Sequence, residues 1–378
     1  MEDSGKEEED KKSCCTWPKI VVAAILTVTC CIILWKYAPI DSAIDSILPK
    51  FNKTSGDYSD TGGAFGDIPP TEAPSTPDRF NFMQCKQGKE CCNGLPKICH
   101  LGVDEILYAT AHNAMASFED GFLFGPNHRL QLERALFAGY RGINLDICNC
   151  AGLLVFCHGY CSLGIRGVDE VFASINGFLD SNPTEVLMMP MEINNFADES
   201  VDLDQFYFQM TQIPGLIEKV YIRENDNAPW PTLKKAVDSN KRIFMFHFNG
   251  PDCTTANPCP PGLHLYDKYA IDTNWEFRNL EDVEDSPVSC DLVLKEALSH
   301  QAFFGVNNFL SPPSYSVSKT LNSVDFARER IRACSEQANL DVNFIYADFW
   351  SEGALPELVQ EHNRGLARRR QRTLRRTD

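Results

Sequence analysis

Six side chains carry chemistry at suggestive places: His112, Asn113, Asn144, Asp146, His158 and Glu192. Each lies at or near the end of a short apolar run: "EILYAT" ahead of His112 and Asn113, "RGINLDI" around Asn144 and Asp146, "FCHG" at His158 and "MEIN" at Glu192. Two imidazoles can serve as general base and general acid across a phosphodiester. The oxygens of Asn113, Asp146 and Glu192, with Asn144 as a further donor, are hard ligands of the kind Ca²⁺ prefers, Mg²⁺ being the alternative. Such a cation would neutralise charge building on phosphoryl oxygens. Singly, each residue has a plainer reading: a turn histidine, or a carboxylate paired with an arginine such as Arg141. The ordered series over four successive runs is what points to a site.

The elements that must position these residues are legible as alternating runs. Extended segments are expected at Glu105–Thr110, Arg141–Ile147, Leu153–His158, Glu185–Met191, Arg242–Phe248, Tyr269–Thr273, Ala302–Asn308 and Asn343–Phe349. In "RGINLDI", Ile143, Leu145 and Ile147 point one way, and Asn144 and Asp146 the other. Between most runs lie helical patterns: "VDEVFASINGFLD", whose Val168, Val171, Phe172, Ile175, Phe178 and Leu179 keep helical spacing, then Arg129–Ala138, Val201–Gln212, Asp291–His300, Val324–Glu336 and Leu355–Arg364. This alternation predicts an α/β fold, a closed (β/α)8 barrel with its site at the C-terminal strand ends. Two features resist a regular barrel. Only "CNCAG" joins Ile147 to Leu153, too short for a parallel crossover, so Leu153–His158 returns as a hairpin or a helix is missing. Pro190 also falls inside a run, where its absent N–H costs a ladder bond.

The chain has 378 residues and a net charge of -17, which disfavours a nucleic-acid partner. "IVVAAILTVTCCIILW", Ile20–Trp35, is uncharged and flanked by Lys19 and Lys36; with Trp17 and Tyr37 it predicts a transmembrane anchor over 17–38. Lys11, Lys12 and Lys19 precede it, which places the tail, 1–16, in the cytoplasm and the rest in the lumen or outside the cell. Of 16 cysteines, Cys14 and Cys15 can carry palmitate or stay free thiols, and twelve follow the span. That even set reads as a disulfide framework rather than zinc, because "CNC" and "ECC" lack paired Cys-x-x-Cys spacing. Local pairs are the natural choice (two within a Cys-rich lead-in over 81–100, Cys253–Cys259 and Cys290–Cys334), although spacing does not prove connectivity. Residues 39–80 are a disordered linker by composition and carry a sequon at Asn52. The barrel is expected over 101–362. The stretch 363–378, with seven arginines, is expected as a disordered basic tail, solvated or facing an anionic surface.

"TAHNAMA", "LFAGYRGINLDI", "FCHGYCSLG", "FLDSNPTEVLMMPMEI" and "YADFWSEGALPELVQEHN" resemble the phosphatidylinositol-specific phospholipase C X-domain family, over about residues 100 to 362. The nearer likeness is to its single-domain, Cys-rich members. The resemblance implies a distorted TIM barrel that cleaves the glycerol–phosphate bond of an inositol phospholipid. By motif match, His112 and His158 take the two catalytic histidine positions, and Asn113, Asp146 and Glu192 take metal-ligand positions of the calcium-dependent branch. In the metal-free bacterial branch an arginine stands where Asp146 is, so this aspartate favours a metal. Asn144 departs from the pattern: animal signalling members carry glutamate there, as ligand and proposed base. Asn144 can offer an oxygen but cannot take a proton, which leaves His112 as base, His158 as acid to the diacylglycerol oxygen, and a weaker calcium site. Head-group contacts are expected from His247, Asn249, Asn307, Tyr346 and Asp348. Two rival readings stand: another lipid diesterase of the sphingomyelinase D or glycerophosphodiesterase kind, and a non-catalytic lipid- or glycan-binding barrel, which Asn144 keeps open.

Overall fold

The computed structural model describes residues 90–193, 200–251, 253–254, 258–293 and 303–377. The expected tail, anchor, linker and sequon, the first part of the lead-in, and the expected helix Asp291–His300 from residue 294 onward lie outside the described residues. Among the described residues no helix is long and apolar enough to cross a membrane.

A two-stranded lead-in, β1 (Cys91–Cys92) and β2 (Leu95–Pro96), precedes one 11-stranded mixed sheet. Its strands are β3 (Tyr108–Ala111), β4 (Gly142–Ile143), β5 (Leu145–Cys150), β6 (Leu153–Cys157), β7 (Ile165–Gly167), β8 (Leu187–Ile193), β9 (Ile243–Phe248), β10 (Leu263–Leu265), β11 (Ala270–Asp272), β12 (Phe303–Asn307) and β13 (Phe344–Ala347). The parallel path runs β10–β9–β8–β4–β3–β13–β12–β11, with β5 continuing β4 along β8. The longer helices are α1 (Leu132–Phe137), α2 (Val168–Ser181), α3 (Leu203–Thr211), α4 (Leu233–Asp238), α5 (Tyr315–Leu321), α6 (Val324–Ala338) and α7 (Leu355–Thr377).

The expected closed barrel is corrected: among the described residues no ladder joins β10 to β11. Only the one-turn helix Tyr266–Tyr269 separates them, and a parallel pair needs a crossover of about a dozen residues. The same short link still bounds the gap, since five residue steps span at most about 18 Å. The sheet therefore curls until its two ends are covalently tied, and the turn does what hydrogen bonds do not.

Alternation along the strands sorts side chains into two layers. Tyr108, Met188, Phe244, Phe246, Phe303, Phe344 and Tyr346 gather in one buried cluster with the lead-in residues Cys92, Leu95 and Ile98. Their neighbours Ala109, Met189, Met245, Phe304 and Ile345 belong to the other, with Phe172 and Leu179 of α2 and Ile331 of α6. At the C-terminal ends the first parity turns polar: His112, Asn144, Asp146, Glu192, Asp272, Asn307 and Asp348. The lead-in docks at the opposite end of β8, where Val186 N donates to Asn93 Oδ1 at 2.7 Å and Gly94 N to Glu185 Oε1 at 3.2 Å.

Leu153–Cys157 does return as a hairpin, antiparallel to β5. Ala151 and Gly152 make its two-residue turn, at φ 53° and 83°, the left-handed pair that matches strand twist. Pro190 sits where β4 breaks from β5: the flanking registers Gly142↔Met188 and Asp146↔Glu192 put Asn144 opposite it. Asn144 Nδ2 donates to the Pro190 carbonyl at 3.2 Å, so a side chain replaces regular pairing there. Disulfides join Cys92–Cys99, Cys148–Cys157, Cys150–Cys161, Cys253–Cys259 and Cys290–Cys334. The expected disordered tail is corrected too, because α7 continues to Thr377. Asn363 is buried and exchanges hydrogen bonds with the Leu107 backbone at 2.9 Å each, and Ala367 is buried, so the helix is packed beyond residue 362.

Candidate active site

His112 directly follows β3, and its N–H donates to the Ala347 carbonyl of β13 at 3.0 Å. That register brings Asp348 beside it: His112 Nδ1 lies 2.9 Å from Asp348 Oδ1, whose side chain is 0% exposed. Asn127 Nδ2 donates to the same Oδ1 at 2.8 Å, and the Asn322 amide to the Asp348 carbonyl at 2.8 Å. The imidazole stacks on Phe309, ring centroids 3.7 Å apart and 10° from parallel. Beneath it His128 spans two backbones, Nε2 to the His112 carbonyl at 2.6 Å and Nδ1 accepting from Trp350 N at 3.3 Å. One donating and one accepting nitrogen define a neutral ring, and burial holds its pKa down at about 4.

Asn113 turns the chain away from the strand with φ 46°, a left-handed conformation asparagine tolerates. Asn144 holds that turn: its Oδ1 accepts from Asn113 N at 2.8 Å and its carbonyl from Ala114 N at 2.8 Å. Both ends of the Asn144 amide are thus engaged within the fold. Asp146 and Glu192 are register partners on β5 and β8. Burial, then Glu192, pushes the Asp146 carboxyl well above the usual carboxylate range; burial also raises Glu192, against the opposing effects of the Asn249 hydrogen bond and His112. Neither carboxylate pairs with Arg141, which binds Glu185 at 2.7 Å near the start of β8. The buried oxygens Asn113 Oδ1, Asp146 Oδ1 and Asp348 Oδ2 accept no hydrogen bond, and buried polar atoms are seldom left so. Two neighbouring carboxyls, Asp146 buried and Glu192 half-buried, and an amide oxygen suit a hard divalent cation.

His158 follows Cys157 at the end of β6. Its Nδ1 is buried without a hydrogen bond. Burial lowers its pKa, and the neighbouring His112 lowers it further, while Asp348 and the Gly125 backbone act the other way. His112, His128, Asp348 and His158 thus share one electrostatic environment.

Of the five expected head-group residues, Asn249 and Asp348 adjoin other site residues, and the other three have partners elsewhere in the fold. Asn249 donates to Glu192 Oε1 at 2.9 Å, and Asp348 orients His112. His247 is 0% exposed, with Nε2 3.3 Å from both sulfurs of Cys253–Cys259. Asn307 Nδ2 donates to the Thr273 carbonyl at 2.8 Å, and Tyr346 is buried with its hydroxyl 2.8 Å from that of Tyr266. Sequence reasoning missed Asn127, His128 and Phe309, which sit in loops where no strand or helix period marks them. Among the described residues, the groups His247, Cys253, Cys259 and Cys150, Cys157, Cys161 have metal-like proximity, but their cysteines are spent in disulfides.

Comparison with known proteins adds the lineage. The solved phosphatidylinositol-specific phospholipase C from Listeria monocytogenes superimposes with a TM-score of 0.50 at 13% identity, covering 75% of this chain and 98% of that one. A mutant of the Staphylococcus aureus phosphatidylinositol-specific phospholipase C gives 0.51 at 12% identity, with the same coverages of 75% and 98%. These likenesses show the fold. A curated relative from Arthroderma benhamiae, "PI-PLC X domain-containing protein 1", is 26% identical over 159 residues, 41% of this chain and 50% of the relative, so the match spans about half the relative's length. The family model "PI-PLC X 1" matches residues 98–363, the same stretch that builds the sheet and its polar mouth, and the chain belongs to the PI-PLC X domain family.

Proposed function

We propose that this chain is a phosphoric diester hydrolase that cleaves an inositol phospholipid, or a glycosylated relative, between glycerol and phosphate. The observation that carries this reading is the His112–Asp348 pair at 2.9 Å, with His158 near enough for both to influence its protonation. Asp348 accepts from Nδ1–H and leaves Nε2 of His112 as the basic nitrogen, the arrangement an orienting carboxylate enforces. His112 takes the proton of the attacking inositol hydroxyl as its oxygen bonds to phosphorus. The bond from phosphorus to the glycerol oxygen breaks, and His158 gives that oxygen a proton. Cyclic inositol phosphate and diacylglycerol result. The phosphate's negative charge between the rings favours protonated His158 and offsets the lowering by burial.

Asn113, Asp146 and Glu192 would hold a Ca²⁺ ion, with Mg²⁺ as the alternative; a bound cation neutralises charge on the phosphoryl oxygens. Asn144 is assigned to bracing the Asn113 turn rather than to the ion. Phe118, Leu123, Phe124 and Tyr160 are 59–72% exposed on the loops around His158, a face suited to a lipid surface. The described disulfides support an oxidising compartment. We therefore place the domain in the lumen or outside the cell, behind the N-terminal anchor, where outer-leaflet or glycosylated inositol lipids are within reach.

The test is release of cyclic inositol phosphate by the purified protein, with and without a chelator, beside His112→Ala and His158→Ala. Loss of release in both variants is expected; unchanged turnover in either removes that histidine from the mechanism. Turnover of sphingomyelin or glycerophosphodiesters in place of inositol lipid would select the rival diesterases. Vesicle binding without any turnover would select the non-catalytic barrel.

A further inference from the structure

We propose that the two disulfides of the β5–β6 hairpin are a positioning clamp for His158, and that the outer one, Cys150–Cys161, makes the site sensitive to dithiol reductants. This rests on the catalytic reading of His158. The geometry is local. β6 and β7 are antiparallel additions to the side of β5, outside the parallel path that arranges the other site residues. His158 lies beyond the last paired residue of β6, and Gly159 follows at φ 75°. No strand therefore dictates where residue 158 goes. Two sulfur links do: Cys157, immediately before it, is joined to Cys148, and Cys161, three positions after it, is joined to Cys150. Both anchors stand on β5, the strand that carries Asp146. The acid is thereby tied, on either side in sequence, to the strand that supplies a candidate metal ligand.

The two links differ in access. Cys148 and Cys157 are each 0% exposed and form a small buried cluster with Val155. Cys150 and Cys161 are only half-buried. A dithiol reductant reaches the outer link first. In that exchange the Cys150–Cys161 bond breaks, two electrons and two protons pass to its sulfurs, and the reductant becomes a disulfide. The inner link and the hairpin ladder remain, so the domain stays folded while the segment 158–161 loses one of its two ties.

The readout that a merely structural role would not move is the titration of His158, followed by NMR of its ring. In the native protein it titrates below the ordinary value, because it is buried and near His112. After mild reduction, verified by mass mapping to open only Cys150–Cys161, its pKa is expected to rise toward about 6.5. The double variant Cys150→Ser with Cys161→Ser should show the same rise without reductant and no response to it. On inositol lipid, both forms should lose kcat by up to about a hundredfold, as misplaced catalytic groups do, with KM changed less than about twofold. An unchanged His158 titration in the folded variant overturns the clamp, as does a KM effect in place of a kcat effect. A native protein without turnover counts against the catalytic reading alone, since the titration judges the clamp separately.

Discussion

Asp348 transfers no proton in the proposed cycle, yet it decides which nitrogen of His112 does. Asp348→Asn keeps the shape and lets an amide NH face Nδ1, which favours the wrong tautomer. Its kcat on inositol lipid should fall by about 10²–10⁴-fold with little change in KM, and an unaffected kcat would remove Asp348 from its orienting role. Asp146→Asn addresses the cation directly. The parent should gain thermal stability when Ca²⁺ is titrated in, and the variant should gain much less, a comparison of melting temperatures that needs no turnover. At this scale the sequence exposes residues that share a strand parity. Asn144 and Asp146 stand out on one face of "RGINLDI", and His158 and Glu192 close their runs. The partnership of His112 with Asp348 is hidden, because 236 positions separate them and only the β13–β3 ladder brings them together. The bonding of Asn144 is hidden for a similar reason: its side chain is the right type for a ligand, and only the fold shows that it faces a proline carbonyl and a turn amide.

At the scale of elements, β11 carries an ionisable group that the proposed mechanism does not use. Asp272 accepts from the Tyr266 hydroxyl at 2.8 Å, and burial raises its pKa to about 7. Between pH 4 and pH 7 the folded form keeps a proton that the unfolded form has lost. Stability from this group is therefore greatest in acid and declines as pH rises through about 7. Asp272→Asn should melt several degrees above the parent at pH 8 and close to it at pH 4, by thermal denaturation at the two pH values. His128, with its pKa near 4, works in the opposite direction, since its unfolded form takes up protons first as pH falls below about 6.5. The runs seen in the sequence match strands within a few residues because buried β-branched and aromatic segments mark them. β7 and β10, three residues each, are too short for any period to register. Alternation also announces a barrel without revealing that the link Tyr266–Tyr269 is too short to let its last pair form.

Across the whole molecule, the exposed apolar side chains beside His158 and the lead-in at the far end of β8 give the domain two unlike faces. Leu123→Ser combined with Phe124→Ser should lower the fraction bound to phosphatidylinositol vesicles several-fold in a sedimentation assay. Turnover of a short-chain, monomeric inositol lipid should be retained. Equal vesicle binding by parent and variant would show that this face does not meet the bilayer. The turn Tyr266–Tyr269 has a consequence for how the protein meets proteases. Tyr266 and Tyr269 are 2% and 4% exposed, so an endoprotease reaches them only after local opening. A single cut there would remove the covalent tie between β10 and β11 and free their unpaired edges to part, and such edges recruit strands from other molecules. Nicked chains should therefore precipitate while intact ones stay dispersed.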